Sequence, residues 1–160
     1  MIRKLRELGR DNRGASIIEL ALIAPFFATM IVGVTDLSRG FSAKLQLTQA
    51  AQRSIEKVMQ TSFQTSAVDT LKAEAAATAG VDVSAVDVDY WLQCNGVRQT
   101  GMDKDTAYNG VCPSSSPNYA RYLVVNITKT YTPMFTKIKF AGANSDGSYT
   151  LHGKAGIRVQ

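Results

Sequence analysis

The chain has 160 residues, a formal charge of +5 and a pI near 9.3. That length suits one domain with an appendage. Residues 1–14 hold Arg3, Lys4, Arg6, Arg10 and Arg13 against Glu7 and Asp11, which is about +3 of the +5. The remainder is close to neutral and has no basic cluster interleaved with aromatics, so the composition argues against nucleic-acid binding.

Residues 15–34, ASIIELALIAPFFATMIVGV, form an apolar run long enough to cross a bilayer as a helix. Its clearly polar members are Ser16, Glu19 and Thr29. The basic leader before it predicts a cytoplasmic N-terminus and an exported C-terminal part. Pro25 cannot donate a backbone hydrogen bond, so a bend is expected there.

Beyond Asp36 the helical pattern continues. Leu37, Phe41, Leu45, Ala51, Ile55, Met59 and Phe63 read as one apolar stripe, with Arg39, Lys44, Gln52, Arg53 and Glu56 mostly elsewhere. The spacing predicts one helix from Ala15 to about Gln60, roughly 70 Å long. Its stripe would pack on the chain's own sheet or on neighbouring helices. The segment TSAVDTLKAEAAATAG reads as a second, shorter helix, with Ser66 as N-cap and Gly80 as its stop.

Strands follow. In VDVDYWLQ, Val86, Val88, Tyr90 and Leu92 share one face and Asp87, Asp89, Trp91 and Gln93 the other. YLVVNITKTY sets Leu123, Val125, Ile127 and Tyr131 together. In YTLHGKAGIRVQ, Tyr149, Leu151, Ala155, Ile157 and Val159 line one side, and Thr150, His152, Lys154, Arg158 and Gln160 the other. Alternation with one polar face predicts an antiparallel sheet covered on one side. Asp146-Gly147 marks a turn before the last strand. Segment 133–142 reads either as a short strand or as a connection. The expected fold class is therefore α+β: a long N-terminal helix, a short second helix and a small antiparallel sheet. The predicted organisation is a leader over 1–14, a membrane-spanning half-helix over 15–35, its amphipathic continuation over 36–64, and an extracytoplasmic head over 65–160.

Cys94 and Cys112 are the only cysteines, and they flank a polar loop on the predicted exported side. A disulfide suits an oxidising compartment and would stabilise by roughly 3 kcal/mol; the alternative is two free thiols. The lone His152 and the lack of a CxxC pair argue against a zinc site. His152 reads as a surface residue on a polar strand face. Asp87 and Asp89 read as a solvated sheet face, and Asp103 and Asp105 as a solvated loop. No nucleotide-binding, serine-hydrolase or metalloprotease motif is present in the sequence, so no catalytic residue and no cofactor is expected.

Gly14 directly precedes the apolar run, and Glu19 is the fifth residue after it. This arrangement resembles the class III signal of type IV pilins and pseudopilins. With Arg13-Gly14, Glu19, Ala21, Pro25, the Gly33 to Gly40 region, Gln49-Ala50-Ala51-Gln52-Arg53 and a C-terminal strand ending in Arg158, the first third of the chain is similar to the TadE-like family, minor pseudopilins of the tight adherence (Tad) pilus. The resemblance implies a cut by a prepilin peptidase after Gly14, a mature start at Ala15, and Glu19 as the assembly carboxylate. It implies as partners that peptidase, other pilins and pseudopilins, and an assembly platform in the bacterial inner membrane, with lipid around the first half of the helix. The chain departs from the wider pilin pattern in having alanine, not phenylalanine, at position 15. It is also longer than the family's major pilin and too short for the von Willebrand type A module of related proteins.

The energetics fit that role. Glu19 lies roughly 7 Å into the run, where an unpaired carboxylate is costly unless it snorkels to the headgroups. Cleavage would place an α-ammonium at Ala15 with which a neighbour's Glu19 could pair. Two other readings share the basic leader and apolar run: an uncleaved single-span anchor carrying a binding domain, and a secreted protein with a conventional signal peptide.

Overall fold

The computed structural model describes residues 15–113, 118–134 and 142–159. The leader over 1–14, Gln160 and most of the ambiguous segment 133–142 lie outside the described residues. The elements are helix α1 (Ala15–Thr61), α2 (Val68–Ala79), strands β1 (Val86–Cys94) and β2 (Val97–Arg98), helix α3 (Lys104–Asn109), and strands β3 (Tyr119–Tyr131) and β4 (Tyr149–Arg158). Short 3-10 turns occupy Thr65–Ala67 and Val83–Ala85. The architecture is α+β, as the alternating and helical periods predict.

α1 is a single helix of 47 residues that runs unbroken through Pro25. The chain divides into two compact units, Met1–Arg39 and Gly40–Gln160. In the first, every described side chain from Ser16 to Ile31 is exposed. In the second, the remainder of α1 packs with α2 and the sheet around one core.

The four strands are ordered β2-β1-β3-β4 and every neighbouring pair is antiparallel. Val86, Val88, Tyr90 and Leu92 of β1 are buried, as are Leu123, Val125 and Ile127 of β3. Val88↔Val125 and Tyr90↔Leu123 are direct cross-strand pairs, so these rows form one apolar layer. The alternation expected for all three long strands is present.

The helix face that covers this layer differs from the expected stripe. The buried residues of α1 are Leu47, Ala50, Ala51, Ser54, Ile55 and Val58, spaced by three and one in turn. Leu37, Phe41, Leu45 and Met59 are exposed. A strict four-residue series advances by about 40° per step, because a turn holds 3.6 residues. The expected stripe therefore winds away from the sheet, and only Ala51 and Ile55 of it lie in the core; Phe63, just past the helix end, packs against it half-buried.

α2 ends where expected. Gly80 adopts the left-handed conformation (φ 63°, ψ 49°), its N–H turning back to the carbonyls of Ala76 and Ala77. Its start differs from expectation: Ser66 lies inside the 3-10 turn, the N-cap is Ala67, and no side chain caps the helix. The turn tightens before Val68, which moves Ser66 out of register with the first free N–H groups. Asn95-Gly96 forms the β1–β2 turn with both residues at positive φ (49° and 85°). The second unexpected element is α3, inside the cysteine loop. Asp103 caps it by accepting from the N–H groups of Asp105 and Thr106, so Asp103 is a structural residue and not only a solvated one.

Candidate functional site

The sequence-predicted residues fall in two places. Ala15 opens α1, Glu19 is exposed one turn in, and Pro25 follows six residues later on the same helix. Gly14 lies outside the described residues. Around Glu19 the side chains of Ile17, Ile18, Leu20, Leu22 and Ile23 are all exposed, Leu22 at 74%. Among the described residues, none of these side chains offers the Glu19 carboxylate a polar partner. Pro25 leaves the carbonyl of Ala21 without its helical donor. One turn on, the Thr29 hydroxyl donates to the Pro25 carbonyl at 2.6 Å. α1 is long and apolar enough to cross a membrane, and the most apolar window of it is wholly exposed.

Cys94 and Cys112 lie in the second unit and are disulfide-bonded, with Cα atoms 5.7 Å apart. The bond ties the end of β1 to the chain leaving α3. Behind it, Phe63, Tyr90 and Tyr108 form a triangle of rings with centroids 5.3 to 5.4 Å apart. These three residues join the end of α1, strand β1 and helix α3. The Tyr90 hydroxyl donates to the Asp105 carboxylate, so Asp105 also has a structural role that the sequence reading missed. Burial first, then that hydrogen bond and the charges of Asp105, Asp103 and Asp69, push the Tyr90 pKa up to about 12. Burial also raises Tyr108, with the Arg121 charge working against it. Arg121 holds α3 from the other side, donating to the carbonyls of Tyr108 (2.9 Å) and Gly110 (3.0 Å).

On the outer face of the sheet, Trp91 and Tyr122 stack with centroids 5.3 Å apart, and the Arg98 guanidinium sits 4.7 Å over Trp91. Arg98 also forks onto Asp89 through two 2.9 Å hydrogen bonds. Burial works to raise the Asp89 pKa, but the hydrogen bonds and charges of Arg98 and Lys104 outweigh it and hold the carboxyl below its usual value. Asp89 is thus an ion-paired residue, while Asp87 stays exposed. His152 lies exposed on β4 beside the Thr128 hydroxyl, 3.3 Å from Nδ1. Among the described residues no group of three or more His, Cys, Asp or Glu side chains is placed to hold a metal ion.

Residues 14–55 match the family model of the TadE-like proteins. Over that stretch the chain is similar to the TadE-like proteins. The match starts at Gly14, takes in Glu19 and Pro25, and ends at Ile55 in the buried face of α1. It supports a pilin-like component associated with the Tad pilus, anchored by an apolar N-terminal helix. No curated protein and no solved structure matches the chain. The match covers α1 as far as Ile55 and leaves the end of that helix, α2, α3 and the sheet to be understood from their own geometry.

Proposed function

We propose that this chain is a minor pseudopilin: a precursor cut after Gly14 by a prepilin peptidase, held in the bacterial inner membrane by α1, and assembled with other pilins through that helix. The leader would face the cytoplasm and the sheet-bearing unit the periplasm. The observation that carries the reading is the TadE-like match beginning at Gly14, with Glu19 set in an exposed apolar helix five residues later.

Two physical features support it. An unpaired carboxylate near the end of a membrane helix is stabilised by a cation, and cleavage creates one at Ala15 of each copy. Lipid gives helices no hydrophobic preference for a particular register, so a Glu19–ammonium pair between copies would set it. Second, Leu37, Phe41, Leu45 and Met59 remain exposed beside the buried face of α1. At 1.5 Å per residue, Phe41 and Leu45 lie roughly 40 Å along the helix from Ala15, beyond a hydrocarbon core of about 30 Å. A face that is apolar in water fits coverage by neighbouring helices.

Intact mass of the membrane-extracted protein, from cells with and without the peptidase, tests the proposal. A mass for residues 15–160 only when the peptidase is present is the expected result. The full-length mass in both cells would leave an uncleaved anchor. A cut well past Val34 would make the chain a conventionally secreted protein. Glu19→Ala should abolish subunit pairing while the chain remains in the membrane.

A further inference from the structure

The two halves of the Cys94–Cys112 bond are held differently. Cys94 is the last residue of β1, is 5% exposed, and pairs on both sides, with Val97 of β2 and with Tyr119 of β3. The sheet fixes its backbone and covers its sulfur. Cys112 belongs to no helix or strand and is partly exposed. It stands between Val111, 91% exposed, and the exposed Pro113. Its sulfur lies 3.9 Å from the Gln93 carbonyl oxygen.

The arm that carries Cys112 is also seated by contacts other than the disulfide. Arg121 stands opposite Leu92 in the β1–β3 register and donates to the carbonyls of Tyr108 and Gly110, four and two residues before Cys112. Upstream, the Tyr108 ring is buried against Phe63 and Tyr90, and the Asn109 Nδ2 donates to the Thr65 hydroxyl at 3.4 Å. These contacts bring the arm back to the end of β1 whether or not the sulfurs are joined. In thiol–disulfide exchange a thiolate attacks one sulfur and expels the other, and access helps decide which sulfur is attacked.

We propose that exchange with an external thiol or disulfide enters this pair at Cys112, that Cys94 is the resolving thiol, and that Arg121 is the positioning residue that returns Cys112 to it. In the reducing direction an external thiolate bonds to the Cys112 sulfur. The S–S bond breaks, its electron pair leaves on the Cys94 sulfur, and that thiolate takes a proton from water. In the oxidising direction a disulfide reagent joins one of its sulfurs to Cys112 and releases the other as a thiol. The Cys94 thiolate then displaces the second reagent thiol, so two protein thiols are oxidised and one reagent disulfide is reduced. This inference stands on the second unit alone and is independent of how α1 is processed or assembled.

The test exposes the full chain in detergent, its disulfide intact, to reduced glutathione, with samples quenched at intervals in excess N-ethylmaleimide. Peptide mass mapping locates both labels. Early samples should carry glutathione on Cys112 with maleimide on Cys94, at least about tenfold over the reverse arrangement. In a fixed glutathione redox buffer, Arg121→Gln should raise the mixed-disulfide population about tenfold, because ring closure needs the arm in place. Arg121→Lys, which keeps a cationic donor, should fall between that variant and the native chain. Gly156→Ala, which crowds Val124 instead of the arm, should leave the population unchanged. The mapping uses the native chain, so it decides the entry sulfur even if Arg121→Gln does not fold. Glutathione on Cys94 in equal or greater amount would overturn entry at Cys112. A mixed-disulfide population unchanged in Arg121→Gln, or raised as much in Gly156→Ala, would overturn the role of Arg121.

Discussion

Gly153 in β4 lies directly against the main chain of Leu47 in α1, so that a Cβ at position 153 would overlap the Leu47 carbonyl and Cβ. This close approach sets how near the helix rides to the sheet, and it explains why the face centred on Leu47 is the buried one. Gly153→Ala should destabilise the protein by about 1–3 kcal/mol, toward the upper end because backbone cannot rotate away. Gly156→Ala should cost less, since its nearest neighbour is the Cγ2 methyl of Val124 at 2.9 Å, which can shift. Urea midpoints of the two variants in the same detergent decide it; equal losses would contradict the backbone contact.

The Cys94–Cys112 bond closes a loop of 18 residues in sequence separation. Replacing both cysteines by serine should lower stability by about 3 kcal/mol. The loss should centre on α3 and the end of β1, read as faster amide exchange there. Alkylation of the native protein without reductant should label neither thiol; labelling of both would mean the pair is open in the cell.

Tyr90 should ionise well above the ordinary tyrosine value of 10.0. Its folded pKa of about 12 lies above the ordinary tyrosine value of 10.0, so folding favours the neutral phenol. The stabilisation it contributes is fully present below pH 10 and is lost as pH rises through 12. Tyrosinate absorbance should show a late-titrating component near pH 12 that is lost in Tyr90→Phe, while the raised Tyr108 remains in both proteins. Stability of that variant should fall less between pH 10 and 12. A Tyr90 that ionises near pH 10.0 would contradict the Asp105 hydrogen bond.

Phe41 is 66% exposed on α1. Phe41→Ser should leave unfolding of the extracted protein within about 0.5 kcal/mol of native, as expected of a surface site. In cells it should reduce cross-linking between subunits, because the apolar face that neighbouring helices would cover is broken. A large loss of stability in the extracted protein would show that Phe41 packs within its own chain.

Much of this structure is written in local periods. The apolar run over residues 15–34 marks a membrane-length stretch of α1, and neither Pro25 nor Gly33 within it ends the helix. The alternation of Val86, Val88 and Tyr90, and of Leu123, Val125 and Ile127, marks strands because successive side chains of a strand must point to opposite faces. Gly80 marks a helix stop because it takes positive φ at little cost. These properties depend on neighbours in the chain and can be read without a fold.

Tertiary structure alone decided the rest. Two apolar rows compete for the sheet on α1, and composition does not rank them; the missing side chain at Gly153, more than one hundred residues away in sequence, selects the row of Leu47. The pairing of Tyr90 with Asp105 and the seat of α3 beneath Arg121 likewise depend on contacts between distant segments. A residue's period tells which way it points, but what it meets there is fixed only when the elements pack.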